Sequence, residues 1–142
     1  MTAERRHLVQ ASWDAVAAES VPLAERFYVH VFAMAPEARA LFAATDMAAQ
    51  RRKLTDMLAA LERALDEPDR LVADAAALGA RHAGYGVRDA HYAVVGDALR
   101  AALADVLGAR FTAATHAAWT EAYGLLAALM RRGATHAGPT PP

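Results

Sequence analysis

Apolar residues recur along this chain at intervals of three and four, and no alternating run of the kind a strand requires lasts more than a few positions. With Ala and Leu abundant, that period predicts an all-α fold of about six to eight helices. A first helix over residues 3 to 18 puts Leu8, Trp13 and Val16 near one side. Ser20 can cap a second, with Pro22 tolerated in its first turn and Ala24, Phe27, Tyr28, Val31 and Phe32 facing in. Pro36 opens a short turn of helix through Leu41, followed by loop to about Asp46. Met47, Gln50, Leu54, Leu58, Leu61 and Leu65 then trace one face of a long helix. It should stop before Glu67 and Pro68, because the residue preceding a proline is pushed out of the α region. The next helix, over 71 to 81, ends at the glycines of GARHAGYGV. Asp89 can cap a helix through Leu107 that carries Tyr92, Val95, Leu99, Leu103 and Val106 inward. Thr112 can cap the last, running to about residue 132 with Trp119, Tyr123, Leu126 and Met130 on its buried stripe. One domain over 1–132 is expected, with the tail GATHAGPTPP at 133–142 disordered.

Three polar residues interrupt these apolar stripes. Leu71, Ala75, Leu78 and His82 fall at i, i+4, i+7 and i+11, so the imidazole shares the face of the leucines. Tyr28 and Gln50 lie on the inward faces of the second and the long middle helix. Burying an unpaired hydroxyl, amide or imidazole costs roughly 1–3 kcal/mol each, so each must find a partner. That partner is either a core carbonyl or water, the ordinary fate of such groups, or a ligand.

Composition removes many chemistries. A chain of 142 residues, 56% hydrophobic and 22% charged, can bury one real core. The net charge of −1 offers no basic field for nucleic acid, and Arg51-Arg52-Lys53 and Arg131-Arg132 are too short to supply one. Absence of cysteine excludes disulfides, thiolate zinc sites, iron–sulfur clusters and cysteine nucleophiles. His7, His30, His91, His116 and His136 sit on separate elements, without HExxH or His-x-x-x-His spacing for a protein-only metal cage. GARHAGYG lacks the strand and spacing of a phosphate cradle, and no serine sits on a nucleophile elbow. The first fifteen residues have no apolar signal core, and no run of about 18 apolar residues occurs, so a cytoplasmic protein without membrane insertion is expected.

A single inward histidine suffices for a cofactor that brings four in-plane nitrogens of its own. Haem iron needs one axial imidazole and leaves its opposite face for a diatomic gas. A buried phenol or amide can then donate to bound dioxygen. A hydrogen bond to a charged acceptor contributes roughly 1.5–3 kcal/mol, or about 10- to 150-fold in ligand residence.

From about residue 2 to 130 the chain resembles single-domain bacterial haemoglobins, similar to the globin domain of flavohaemoglobins. The blocks that carry the resemblance are RFYVHVFAMAPEARALF at 26–42, LGARHAGYGVRDAHYAVVGDALRAAL at 78–103 and AWTEAYGLLA at 118–127. It implies a globin fold and haem b (iron protoporphyrin IX), with His82 as the proximal iron ligand and Tyr28 as the distal donor. Gln50 would take the distal position of the long helix, with Leu54 one turn on, above the iron. Phe42 would wedge against the haem, Val87 would contact the porphyrin, and Lys53 and Arg81 could reach its propionates. In this family a tyrosine at the position of Tyr92 pairs with a glutamate late in the last helix, and together they orient and polarise the proximal imidazole. Eleven residues on from Tyr123, where that glutamate belongs, this chain has Ala134. A less electron-donating imidazole follows, with His82 donating its other N–H to a backbone carbonyl. The implied function is reversible binding of dioxygen, for transport or storage, with nitric oxide and carbon monoxide as further ligands. No residues remain for flavin or nicotinamide domains, so nitric oxide dioxygenation would need a separate reductase. A gas-sensing globin and a haem-free globin module are the alternatives, and the oligomeric state stays open.

Overall fold

The computed structural model describes residues 1–18, 23–84 and 89–136, leaving aside the side chains of 84, 89, 135 and 136. The expectations at Ser20, Pro22 and Val87, the capping role of the Asp89 side chain, and the tail beyond 136 therefore lie outside the described residues. Six α-helices and two short 3-10 turns account for nearly all the rest, and no strand occurs among the described residues.

Local chemistry sets the helix ends. Helix α1 (Ala3–Ala17) starts at Thr2, whose hydroxyl accepts from the Arg5 N–H at 3.2 Å. Helix α2 (Leu23–Met34) leads through Ala35 into a 3-10 turn (Pro36–Phe42) with the proline in its first turn. Asp46 caps α3 (Met47–Ala64), its carboxylate accepting from the Ala48 N–H at 3.0 Å. Helix α4 spans Pro68–Gly84, opening three residues earlier than expected. Pro68 does stop α3, but it also serves as the first residue of α4, where a missing N–H costs nothing. Helix α5 (Asp89–Leu107) ends at Gly108, which takes φ 56°, a left-handed value suited to glycine, and a 3-10 turn (Gly108–Arg110) follows. Thr112 caps α6 as expected, its hydroxyl accepting from the Thr115 N–H at 3.2 Å. Helix α6 (Ala113–His136) then runs four residues past the predicted end.

Packing explains that extension. Where α4 crosses α6, glycines let the two backbones touch: a Cβ added at Gly79 would stand 1.9 Å from the Met130 carbonyl oxygen, and one at Gly133 2.1 Å from that of Ala76. Gly133 is thus a contact point inside α6 and not its stop. Helix α5 packs on α2, and α1 lies across α6, where the Trp119 indole N–H donates to the Ser12 hydroxyl at 2.8 Å. Ala98, Ala102, Leu103 and Ala118 are fully covered, so small side chains bring the central helices close. Phe32, Val95 and Tyr123, expected inside, are only half-buried. Among the described residues no helix is long and apolar enough to cross a membrane.

Candidate functional site

Tyr28 and Gln50, separated by 22 positions in sequence, meet where α2 faces α3. The Gln50 amide N–H donates to the Tyr28 hydroxyl oxygen at 3.1 Å. The phenol is buried, and that burial raises its pKa above the ordinary tyrosine value, with the Gln50 hydrogen bond drawing it back in part. Because Gln50 comes to the oxygen as a donor, the phenol O–H remains able to donate in its turn. Aromatic rings enclose it: Phe27 at 4.9 Å and Phe42 at 5.5 Å meet the Tyr28 ring edge-on, and Phe32 lies 6.0 Å away. Phe42, at the end of the 3-10 turn, is therefore packed onto the tyrosine as well as onto Phe32. Leu54 sits one turn along α3 from Gln50, half-buried.

His82 occupies the last turn of α4. Its Nδ1 lies 2.8 Å from the Leu78 carbonyl oxygen. A carbonyl only accepts, so Nδ1 carries a proton. Between α3 and α4 lies a cavity of about 370 Å³, lined mainly by Met57, Leu61, Leu71, Leu78, Arg81 and Leu126 with Asp56 and Asp74 among them, whereas His82, Tyr28, Gln50, Leu54 and Phe42 take no part in the lining. Arg81 is exposed at its edge, whereas Lys53 is exposed on α3 and takes no part in the lining.

Tyr92 and Tyr123 are brought together, though through a backbone group: the Tyr123 hydroxyl donates to the Tyr92 carbonyl oxygen. Burial holds the Tyr123 phenol far above its ordinary pKa, the Arg131 guanidinium opposing the shift. Gly96 makes room for that ring, since a Cβ there would stand 2.6 Å from a Tyr123 ring carbon. The Arg131 guanidinium lies 4.8 Å over the Tyr92 ring. Arg131 was missed in the sequence, where it reads only as half of a short basic pair. His30, two positions on from Tyr28, pairs with Asp105 at 2.7 Å.

The structure brings Tyr28, Gln50 and Phe42 together and holds His82 by the Leu78 carbonyl on another helix, with no direct contact between the two groups among those seen. Comparison with known proteins supplies the context. A globin family model, "Globin", matches residues 25–130. The chain belongs to the globin family. It is 33% identical over 132 residues to a flavohemoprotein of Bordetella pertussis, covering 92% of this chain and 33% of the relative. The chain thus spans about a third of the length of the flavohemoproteins it matches. An anaerobic nitrite reductase of Oryza sativa subsp. indica is 31% identical over 146 residues, covering 89% of this chain and 91% of the relative. Among solved structures, an engineered carbene transferase from Rhodothermus marinus superposes with a TM-score of 0.84 at 34% identity, covering 96% of this chain and 94% of the other.

Haem is the cofactor this globin's family implies, and the residues present fit it. An iron ligand histidine needs its second nitrogen held as a donor, which the Leu78 carbonyl does for His82. A tetrapyrrole needs apolar space between helices, and the cavity between α3 and α4 offers such space along the turns of α4 that precede His82.

Proposed function

We propose that this globin binds haem b through His82 and holds dioxygen reversibly, with Tyr28 and Gln50 as the polar pair facing the bound gas. Haem, when bound, supplies an iron with one position open to dioxygen, carbon monoxide or nitric oxide. The chain's own residues do the rest. The Leu78 carbonyl sets the tautomer of His82, and Phe42 and Leu54 supply apolar contact, with Val87 given a porphyrin contact by the family resemblance alone. Arg81 and Lys53 are the cations for the propionates. Tyr28 donates its O–H to the gas while Gln50 holds the phenol oxygen from behind. The observation that carries this reading is the 3.1 Å bond between Gln50 and Tyr28, enclosed by three phenylalanines. Dioxygenation of nitric oxide would follow if a separate reductase returns electrons, and a cytoplasmic setting suits both roles.

The absorption spectrum of the reconstituted protein tests the reading. A ferrous-deoxy spectrum that shifts with oxygen and with carbon monoxide is expected, and His82→Ala should lose it. Wild-type protein that takes up no haem, or a His82→Ala variant with unchanged axial coordination, would sink the assignment. A second reading, reduction of nitrite, is favoured by the rice relative, which the chain matches over nearly its whole length. Anaerobic loss of nitrite from the reduced protein, at rates dependent on Tyr28 and Gln50, would distinguish it from storage alone.

A further inference from the structure

The 3-10 turn between α2 and α3 carries a cation that the gas-binding reading does not use. Side chains three residues apart eclipse in such a turn, so Arg39 and Phe42 share one face of it. Both come down on Phe32 of α2. The Arg39 guanidinium lies 4.9 Å over that ring, and the Phe42 ring meets it edge-on at 5.7 Å. Phe42 in turn meets the Tyr28 ring edge-on at 5.5 Å, with Phe32 itself 6.0 Å from it. The turn buries only Ala38, a side chain too small to fix its seat alone. Arg39 is exposed, and among the described residues its guanidinium has no ion pair and no hydrogen bond, so the Phe32 ring is what holds it. Four residues beyond Phe42, Asp46 caps α3, so the seat of the turn also governs how Gln50 reaches the phenol.

We propose that Arg39 is a positioning residue for Tyr28: clamped on Phe32, it holds the 3-10 turn and with it Phe42 against the tyrosine ring, so that the phenol stays aligned with Gln50 and with bound gas. The gas-facing part rests on the haem reading above, whereas the clamp on Tyr28 exists in the haem-free protein. Arg39 touches neither the phenol nor the gas, and acts through two rings. A clamp transmits no more free energy than its own contact contributes, which bounds the effect. One exposed contact between a guanidinium and a ring corresponds to about a two- to fivefold change in an equilibrium or a rate. Arg39→Gln removes the cation from the ring, and Arg39→Lys retains one.

Two measurements test this, one with haem and one without. In haem-loaded protein Arg39→Gln should speed dioxygen dissociation about two- to fivefold, and Arg39→Lys should stay closer to wild type than Arg39→Gln does. The same Arg39→Gln change made in Tyr28→Phe protein should leave the rate unchanged, because the hydroxyl through which it acts is gone. In the apoprotein, ultraviolet titration of the phenols, with the matching Tyr28→Phe protein subtracted, reads Tyr28 alone. Burial raises that ionisation above the ordinary tyrosine value and outweighs the Gln50 hydrogen bond, so Arg39→Gln should bring it down as the turn loosens and water reaches the ring. A Tyr28 titration and a dissociation rate both unchanged by Arg39→Gln would overturn the proposal. So would a full effect of Arg39→Gln in the Tyr28→Phe background, since Arg39 would then act on the gas by another route. No haem uptake by the wild type would remove the haem reading alone. The apoprotein titration would still decide the clamp, a lowered Tyr28 ionisation supporting it and an unchanged one overturning it.

Discussion

At the Tyr28 hydroxyl two hydrogen-bonding roles are divided between two bonds. The oxygen accepts from Gln50, so the proton is left to point elsewhere, and burial keeps that proton in place by raising the phenol pKa. Gln50 also polarises the O–H it supports, because a donor to the phenol oxygen makes the phenol a better donor. Tyr28→Phe should therefore speed dioxygen dissociation about 10- to 150-fold, the range of one hydrogen bond to a charged acceptor. Gln50→Leu should speed it less. The double variant should dissociate no faster than Tyr28→Phe alone, because most of what Gln50 supplies acts through the hydroxyl. Stopped-flow displacement of oxygen by carbon monoxide measures all four rates. Fully additive effects would mean that Gln50 reaches the gas independently.

Between elements, the α4–α6 crossing is the most exacting contact in the molecule. Neither Gly79 nor Gly133 can gain a methyl group without pushing one backbone off the other. Either Gly→Ala substitution should destabilise the fold by about 1–3 kcal/mol, the usual cost of overpacking. The pair should cost less than the sum, since separating the helices once relieves both clashes. Gly124 is the internal control: it lies in α6 with open space around its Cβ position, so Gly124→Ala should stabilise by about 0.5–1 kcal/mol. Urea midpoints for the four variants decide the point. This crossing also marks the limit of what the sequence discloses. Apolar period locates α1 and α3 to within a residue or two, and Thr112 marks the start of α6 because a cap acts on its own neighbours. Pro68 and Gly133 mislead for the opposite reason. A proline ends one helix and starts the next with the same fixed φ, and a glycine that looks like a stop is here a contact surface for a helix about fifty residues away. The site divides likewise. Tyr28, Gln50 and His82 stand out as polar residues on apolar stripes, whereas Arg131 over Tyr92 is a tertiary contact with no period to betray it.

Across the whole molecule, burial is uneven in a way that follows the site. Helix α3 buries only Leu58 and Ala64 fully, and its Leu54, Met57 and Leu61 remain partly open. By contrast α1 buries Val9, Trp13 and Val16 against the rest of the core. The helix that carries Gln50 is thus the least anchored of the long elements, and it flanks the cavity. A ligand that fills the space between α3 and α4 binds the native state alone and stabilises it by mass action. At a hundredfold excess over its dissociation constant the gain is about 2.7 kcal/mol. For a domain of this size that should raise the melting temperature by roughly 10 °C, at about 4 °C per kcal/mol. The gain should not spread evenly. Amides of α3 and the last turns of α4 should exchange with solvent more slowly on haem loading, while those of α1, already closed off, should change little. His82→Ala should melt like the wild-type apoprotein without haem and lose most of the increment with it. If loading instead protected α1 as strongly as α3, haem would be ordering the whole fold, and the space between α3 and α4 would not be pre-formed.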